Sequence, residues 1–163
     1  MRNTKKAFLW IIDILEQHKI LYRISGGLAA RAYGVDRELA DIDVEIASKD
    51  FSYILKNVGP YIIFGPTQSK DKNWDLKLMT LLYDDQKIDI SESEAKFFNK
   101  KIKQWENCSS DLRSRNMVDI YGKVVPVEPI ESLIAYKTKL AREVDLEDVR
   151  QLNKIINHSR IDM

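Results

Sequence analysis

Residues 24 to 46 read Ile24-Ser25-Gly26-Gly27-Leu28-Ala29-Ala30-Arg31-Ala32-Tyr33-Gly34-Val35-Asp36-Arg37-Glu38-Leu39-Ala40-Asp41-Ile42-Asp43-Val44-Glu45-Ile46. An apolar run stops at two glycines, a short helical pattern and a charged loop follow, and a strand pattern then carries Asp41 and Asp43. In a β-strand residues i and i+2 share a face, so these two carboxylates stand side by side with Ile42 and Val44 turned to the core. Two neighbouring carboxylates repel, and keeping both ionised favours a bound cation. Oxygen donors of this kind suit Mg2+, which is commonly held between one or two carboxylates and substrate phosphates.

The glycines supply the other half of a phosphate site. A Gly pair between strand and helix allows a tight turn and a close backbone approach to a ligand. The N–H groups that open the helix favour an anion, and Ser25 adds a hydroxyl. Downstream, Lys87-Ile88-Asp89-Ile90 places a third acid among apolar residues on a strand pattern. With that strand beside the first, Asp89 completes a three-carboxylate cluster.

Hydrophobic-Ser-Gly-Gly, a gap, Asp-hydrophobic-Asp and a later hydrophobic-Asp-hydrophobic resemble the nucleotidyltransferase superfamily related to DNA polymerase β. Among its branches the chain most resembles small proteins near the aminoglycoside and lincosamide nucleotidyltransferases and the abortive-infection-type nucleotidyltransferase toxins. Arg37 matches a basic residue common there, whereas Leu39 stands where a hydroxyl residue is frequent. The stretch from Tyr136 to Val149 is similar to the terminal helices of these proteins, so the resemblance runs from about Leu21 to Leu152. It implies an α+β fold, a mixed β-sheet flanked by helices with further helices at the C-terminal end, in one domain over residues 1–163. It also implies transfer of a nucleoside monophosphate from an NTP, ATP favoured, to an acceptor hydroxyl with release of pyrophosphate. Asp41, Asp43 and Asp89 are then the catalytic acids and the ligands of two Mg2+ ions. Ser25, Gly26 and Gly27 hold the phosphates, and Arg37 and Lys137 offset their charge. The acceptor stays open between a small antibiotic-like molecule, a tRNA end and a protein side chain.

The 163 residues are 44% hydrophobic and 31% charged, an ordinary composition for a folded domain with a core. A formal net charge of +1 implies no global attraction to nucleic acid or membrane, though a local basic groove stays compatible with it. The single cysteine, Cys108, excludes an internal disulfide and fits a reducing cytoplasm. Asp13 and Glu16 interrupt the N-terminal apolar run, which argues against a signal peptide, and no run reaches transmembrane length.

In chain order, Phe8, Ile11, Ile12 and Leu15 predict a helix over about 4–18 with Thr4 as N-cap and His18 at the surface. Ile20–Ile24 reads as a strand and Leu28–Tyr33 as a short helix stopped by Gly34. A helix through Phe51, Ile54 and Leu55 ends near Gly59-Pro60, and Tyr61–Phe64 is a strand. Gly65–Asn73 is polar and turn-rich and reads as a mobile loop over the substrate. Trp74–Tyr83 and Gln86–Ser91 form a hairpin through Asp84-Asp85. Over 92–116, Phe97, Phe98, Ile102 and Trp105 suggest one amphipathic piece, with a turn at Cys108-Ser109-Ser110-Asp111. Met117–Tyr121 and Lys123–Val127 form another hairpin, and Pro129 opens a helix through Leu133, Lys137 and Leu140. A last helix follows Asp145, with Asp145 and Asp148 spaced as an N-cap and its N3 acid.

Each motif also has a plainer reading. A glycine pair is commonly a turn and nothing more, and paired strand acids can be solvated or bound to Arg; their occurrence together and in order favours the site. Glu45 shares the face of Asp41 and Asp43 and is read as paired to a basic residue. Lys137 reads equally as a phosphate contact and as a solvated lysine. Lys139 and Arg142 lean to the surface, Arg31 to the solvent face of its helix, and Trp74 and Tyr33 to the core. Two other classes stay open: a nucleotide-binding regulatory protein, for instance half of a toxin–antitoxin pair with little turnover, and an interaction module whose acids serve solubility.

Overall fold

The computed structural model describes residues 1–109 and 111–161. Helix α1 (Thr4–Gln17) buries Ala7, Phe8, Ile11, Ile12, Ile14 and Leu15, the stripe its sequence spacing requires. Each of the large aliphatic and aromatic members contributes about 1.5–3 kcal/mol when fully buried. The cap is Asn3, whose side chain accepts from the Lys6 amide at 3.0 Å. Thr4, expected as the cap, is the first helical residue, and its hydroxyl donates to Gln86 Oε1 at 2.6 Å.

Strand β1 (Tyr22–Ser25) runs into α2 (Gly26–Ala32), and β2 (Asp41–Ile46) follows. A 3-10 turn at Ser48–Asp50 leads into α3 (Phe51–Val58) and a second, Gly59–Tyr61, leads out of it. Then come β3 (Ile62–Lys70), β4 (Trp74–Tyr83), β5 (Gln86–Glu92), β6 (Glu94–Asn99), β7 (Gln104–Ser109), β8 (Asn116–Ile120) and β9 (Lys123–Val127). Helices α4 (Ile130–Leu140) and α5 (Glu143–Ile161) close the order. This is an α+β architecture with one mixed sheet in the order β7-β6-β4-β5-β2-β1-β9-β8, and with β3 paired to β4 outside that path. Pairs β2–β5 and β1–β9 are parallel, and the other strand pairs are antiparallel.

On β2, Ile42, Val44 and Ile46 are fully buried while Asp41, Asp43 and Glu45 are half-buried. The period of two thus turns one face to the core and leaves the other to carry charge. Both expected hairpins form, the second with Tyr121 in its turn beside Gly122. Asp84 and Asp85 have φ of 52° and 60°, and Tyr121 and Gly122 have φ of 54° and 86°, the positive values that match the twist of the flanking strands.

Two expectations need correction. Gly65–Asn73 is not a loop: β3 continues to Lys70, with Thr67, Gln68, Ser69 and Lys70 opposite Leu78, Lys77, Leu76 and Asp75. An edge strand has solvent on its outer side, so its hydrogen bonds rather than apolar side chains hold it, and its polar composition reads as loop. Gly65-Pro66 falls where the register shifts between Phe64 and Thr67, a place that tolerates a missing donor. Residues 92–116 are likewise not one amphipathic piece but the β6–β7 hairpin, with Ala95, Phe97 and Asn99 buried in strict alternation. Cys108 and Ser109 belong to β7 rather than to a turn, and Ser110 of that expected turn lies outside the described residues. Among the described residues no helix is long and apolar enough to cross a membrane.

Candidate active site

The register of the sheet assembles the site. Asp43 on β2 lies opposite Ser25 on β1 and opposite Asp89 on β5, and Asp89 lies opposite Thr80 on β4. Four polar residues from four adjacent strands therefore stand abreast, with Asp41 two residues along β2 on the same face. Thr80 Oγ1 donates to Asp89 Oδ1 at 2.7 Å, which fixes that carboxyl. Lys87 Nζ lies 4.0 Å from Asp41 Oδ1 at the exposed end of the row.

The glycine turn closes the row at β1. Gly26 has φ of +61°, and a Cβ on it would collide with the Asp43 carboxylate. Backbone conformation and space both require glycine there. A Cβ on Gly27 would stand 2.6 Å from Arg37 Nη2, so the second glycine leaves room for a guanidinium to lie on the turn. Ser25, Gly26, Gly27, Asp41, Asp43, Asp89, Arg37 and Lys137 all line one cavity of about 360 Å³. The expected site residues thus come together, contributed by β1, α2, β2, β5, α4 and the loop before β2.

Their electrostatics divide in two. Burial, then the charges of Asp89 and Asp41, push the Asp43 carboxyl up to about 7. Burial and Asp41 likewise raise Asp89, against the lowering effect of the Thr80 hydrogen bond. These acids carry the strain of like charges at partial burial. The cations have a different environment. Arg37 makes a two-pronged pair with Asp148, Nε to Oδ1 at 2.6 Å and Nη2 to Oδ2 at 3.0 Å. Lys137 is buried, 2.9 Å from Asp148 and 3.4 Å from Asp145. It is therefore neither a solvated lysine nor an unattached phosphate hook.

Several residues fall elsewhere than expected. Asp145 and Asp148 are not an N-cap and its partner, because α5 starts at Glu143 and both carboxylates are wholly buried among cations. Asp145 does accept the Arg142 amide at 3.1 Å, the reciprocal contact of an acid in a first helical turn. Arg142 is not a plain surface residue: its guanidinium grips Asp145 and lines the cavity. Glu45 pairs with Arg23 Nε at 2.9 Å as expected, and Arg23 also reaches Glu128 at 3.4 Å. Trp74 is half-buried in the cavity wall rather than in the core, with Tyr136 at 6.0 Å between ring centres. Tyr33 packs against the core, its hydroxyl donating to the Glu128 carbonyl at 2.7 Å. Arg31 and His18 are exposed.

Thr80, Tyr136 and Arg142 escaped the sequence reading. Thr80 had a signal, since a two-residue turn at Asp84-Asp85 puts it opposite Asp89. Tyr136 has no local signature, because its ring meets Trp74 from a distant strand, whereas Arg142 had one in Asp145 three positions on.

Among the described residues no group of three or more His, Cys, Asp or Glu side chains is gathered in metal-holding geometry. The donors nonetheless fit a hard divalent cation in kind. All three are carboxylates in one cavity, and the raised Asp43 and Asp89 are acids whose mutual repulsion a cation would relieve.

No protein-family model matches the chain, and comparison with curated proteins finds no match. Solved structures do match. A Thermotoga maritima protein classed provisionally as a nucleotidyltransferase superposes with a TM-score of 0.68 at 20% identity, over 96% of this chain and 97% of that one. The lincosamide antibiotic adenylyltransferase LnuA with lincomycin bound gives 0.66 at 17% identity, over 95% and 99%. ANT(2″)-Ia with adenylyl-2″-tobramycin gives 0.61 at 14% identity, over 97% and 92%. At these identities the likeness establishes a shared fold, the one implied by the motif resemblance.

Proposed function

We propose that this protein is a nucleotidyltransferase that moves a nucleoside monophosphate from an NTP, ATP favoured, to an acceptor hydroxyl and releases pyrophosphate. The observation that carries the reading is the row Ser25–Asp43–Asp89 with Asp41 beside it, set in register at a glycine turn inside one cavity. Its fold is shared with two adenylyltransferases whose structures hold lincomycin and an adenylylated tobramycin. A small-molecule acceptor is therefore the first class to test, before a tRNA end or a protein side chain.

Asp41, Asp43 and Asp89 are the residues that would hold Mg2+, two ions in the full reading. Bound there, the metal would supply charge stabilisation for the attacking and departing oxygens of an in-line displacement at the α-phosphate. Asp89, anchored by Thr80, takes up the acceptor hydroxyl's proton in this reading. Ser25 and the Gly26-Gly27 backbone hold the triphosphate in a turn whose glycines carry no side chains of their own. Arg37, which lies on the turn, and Lys137 offset triphosphate charge. Positioning and electrostatic stabilisation supply much of the rate.

The test is calorimetric titration of a non-hydrolysable ATP analogue, with and without Mg2+, on the wild type and on an Asp41→Asn/Asp43→Asn double variant. Mg2+-dependent binding that the variant loses is the expected result. A folded wild type that binds none of the four nucleotides would sink the donor site.

A further inference from the structure

Five charged side chains form an alternating row beside the acids: Arg37, Asp148, Lys137, Asp145, Arg142. The links measure 2.6 Å from Arg37 to Asp148, 2.9 Å from Lys137 to Asp148, 3.4 Å from Lys137 to Asp145 and 2.7 Å from Arg142 to Asp145. Both acids are wholly buried and the Lys137 side chain is 2% exposed, whereas the terminal Arg37 and Arg142 are 21% and 39% exposed. All three cations line the cavity. The elements that meet here are far apart in sequence. Arg37 comes from the loop before β2, Lys137 from α4, Arg142 from the link after α4, and both acids from α5.

A row of this kind has an obvious plain role, which is to dock α5. Burying ions is a poor way to do that, because apolar contacts of equal volume serve as well or better. The row also carries three positive charges against two negative ones. Its surplus faces a cavity rather than bulk solvent, and Arg37 lies on the very glycine that a phosphate-holding turn needs. An acid that grips guanidinium with two oxygens fixes its plane, and a fixed plane is what recognition of phosphate oxygens requires.

We infer that Asp145 and Asp148 are positioning residues for a polyphosphate, holding Arg37, Lys137 and Arg142 as a preformed cationic row along one wall of the cavity; this rests on reading the cavity as a nucleotide site. Neither acid touches the ligand. Each limits the side-chain freedom that long cations would otherwise lose on binding.

The sign of one substitution separates the alternatives. Asp148→Asn removes a negative charge from the wall, so a role in charge balance alone predicts tighter polyphosphate binding. Positioning predicts the reverse. In calorimetry with inorganic tripolyphosphate and Mg2+, the dissociation constant of Asp148→Asn is expected to rise about tenfold or more. Equal or tighter binding, with or without a lower unfolding temperature, would overturn the inference. Where that variant does not fold, Arg37→Lys decides: it keeps the charge, loses the two-pronged grip, and sits at the exposed end of the row. Weaker tripolyphosphate binding by Arg37→Lys is expected, and unchanged affinity overturns the inference. The two readings fail separately. Wild type that binds tripolyphosphate, more weakly in Asp148→Asn, but binds no nucleotide removes the transferase reading and supports the row. Nucleotide binding that Asp148→Asn leaves intact does the opposite, and a wild type that binds neither removes both.

Discussion

Asp43 lines the cavity and Asp145 lies buried behind two of its cations, Lys137 and Arg142, and the environments of these two residues of one type pull them in opposite directions. Burial pushes the Asp145 carboxyl up, but the Arg142 hydrogen bonds and the charges of Arg142 and Lys137 more than offset it, and it sits below the usual range. Asp43 is pushed up to about 7 by burial together with Asp89 and Asp41. The acids of α5 have their cations within the chain; those of β2 and β5 are set among one another. The first arrangement is balanced by its own cations, and the second is where the proposed Mg2+ would act.

The strongest way to break that comparison is to remove one acid of each kind. Asp145→Ala leaves Lys137 and Arg142 without a shared partner in a buried setting, and should destabilise the fold by about 3–5 kcal/mol in urea or thermal melts. Asp43→Asn removes a repelling charge, so without divalent ion its melting temperature should equal or exceed that of wild type. Nucleotide binding with Mg2+ should nevertheless be lost. Equal losses of stability in both variants would erase the distinction.

Gly26→Ala is the next largest effect. It forces a left-handed conformation on alanine, costing about 1–3 kcal/mol, and drives a methyl group into the Asp43 carboxylate. Turnover should fall about a hundredfold through displacement of Asp43 alone. A Gly26→Ala enzyme with wild-type kcat would show that the close approach of turn and acid is incidental.

The smallest effect sharpens the comparison with a third acid. Glu128 is raised to about 8 by burial and then by Glu45, with Arg23 at 3.4 Å supporting the ionised form. Its value in the unfolded chain is 4.5, so between there and about 8 the folded protein keeps a proton that the unfolded chain has released. Its contribution to stability is full below that window and falls as pH rises through it. Melting temperature measured from pH 4.5 to 9 at constant ionic strength should decline less steeply in Glu128→Gln. An unchanged slope would mean that Glu128 is ionised throughout, held by Arg23.

Period and punctuation carried much of this fold in plain view. Ile42, Val44 and Ile46 alternate with acids, Phe8, Ile11, Ile12 and Leu15 recur at helical spacing, and Asp84-Asp85 marks a turn between two strand patterns. The polar half of β3 was hidden because an edge strand is held by backbone pairing with β4, which side-chain hydrophobicity does not report. The β6–β7 hairpin was hidden because Phe97-Phe98 and the lysines around Ile102 blur a period of two. In the candidate site, the three acids and the glycine turn were legible because strand register and turn geometry are local. The local spacing put Asp145 at the N-cap and Asp148 at N3, whereas Asp145 accepts the Arg142 amide from inside the first turn and the partner that holds Asp148, Arg37, lies 111 positions away.

That separation has a consequence for how the molecule comes into being. A contact spanning 111 positions is among the last that a folding chain can close, because the entropy of so large a loop must be met by contacts already made. Strands β1, β2 and β5 can pair before α5 arrives, whereas the cationic wall cannot exist until α5 has docked. The nascent chain therefore passes through forms that own the acids of the strands but not the paired cations, and the row from Arg37 to Arg142 is complete only when α5 is in place.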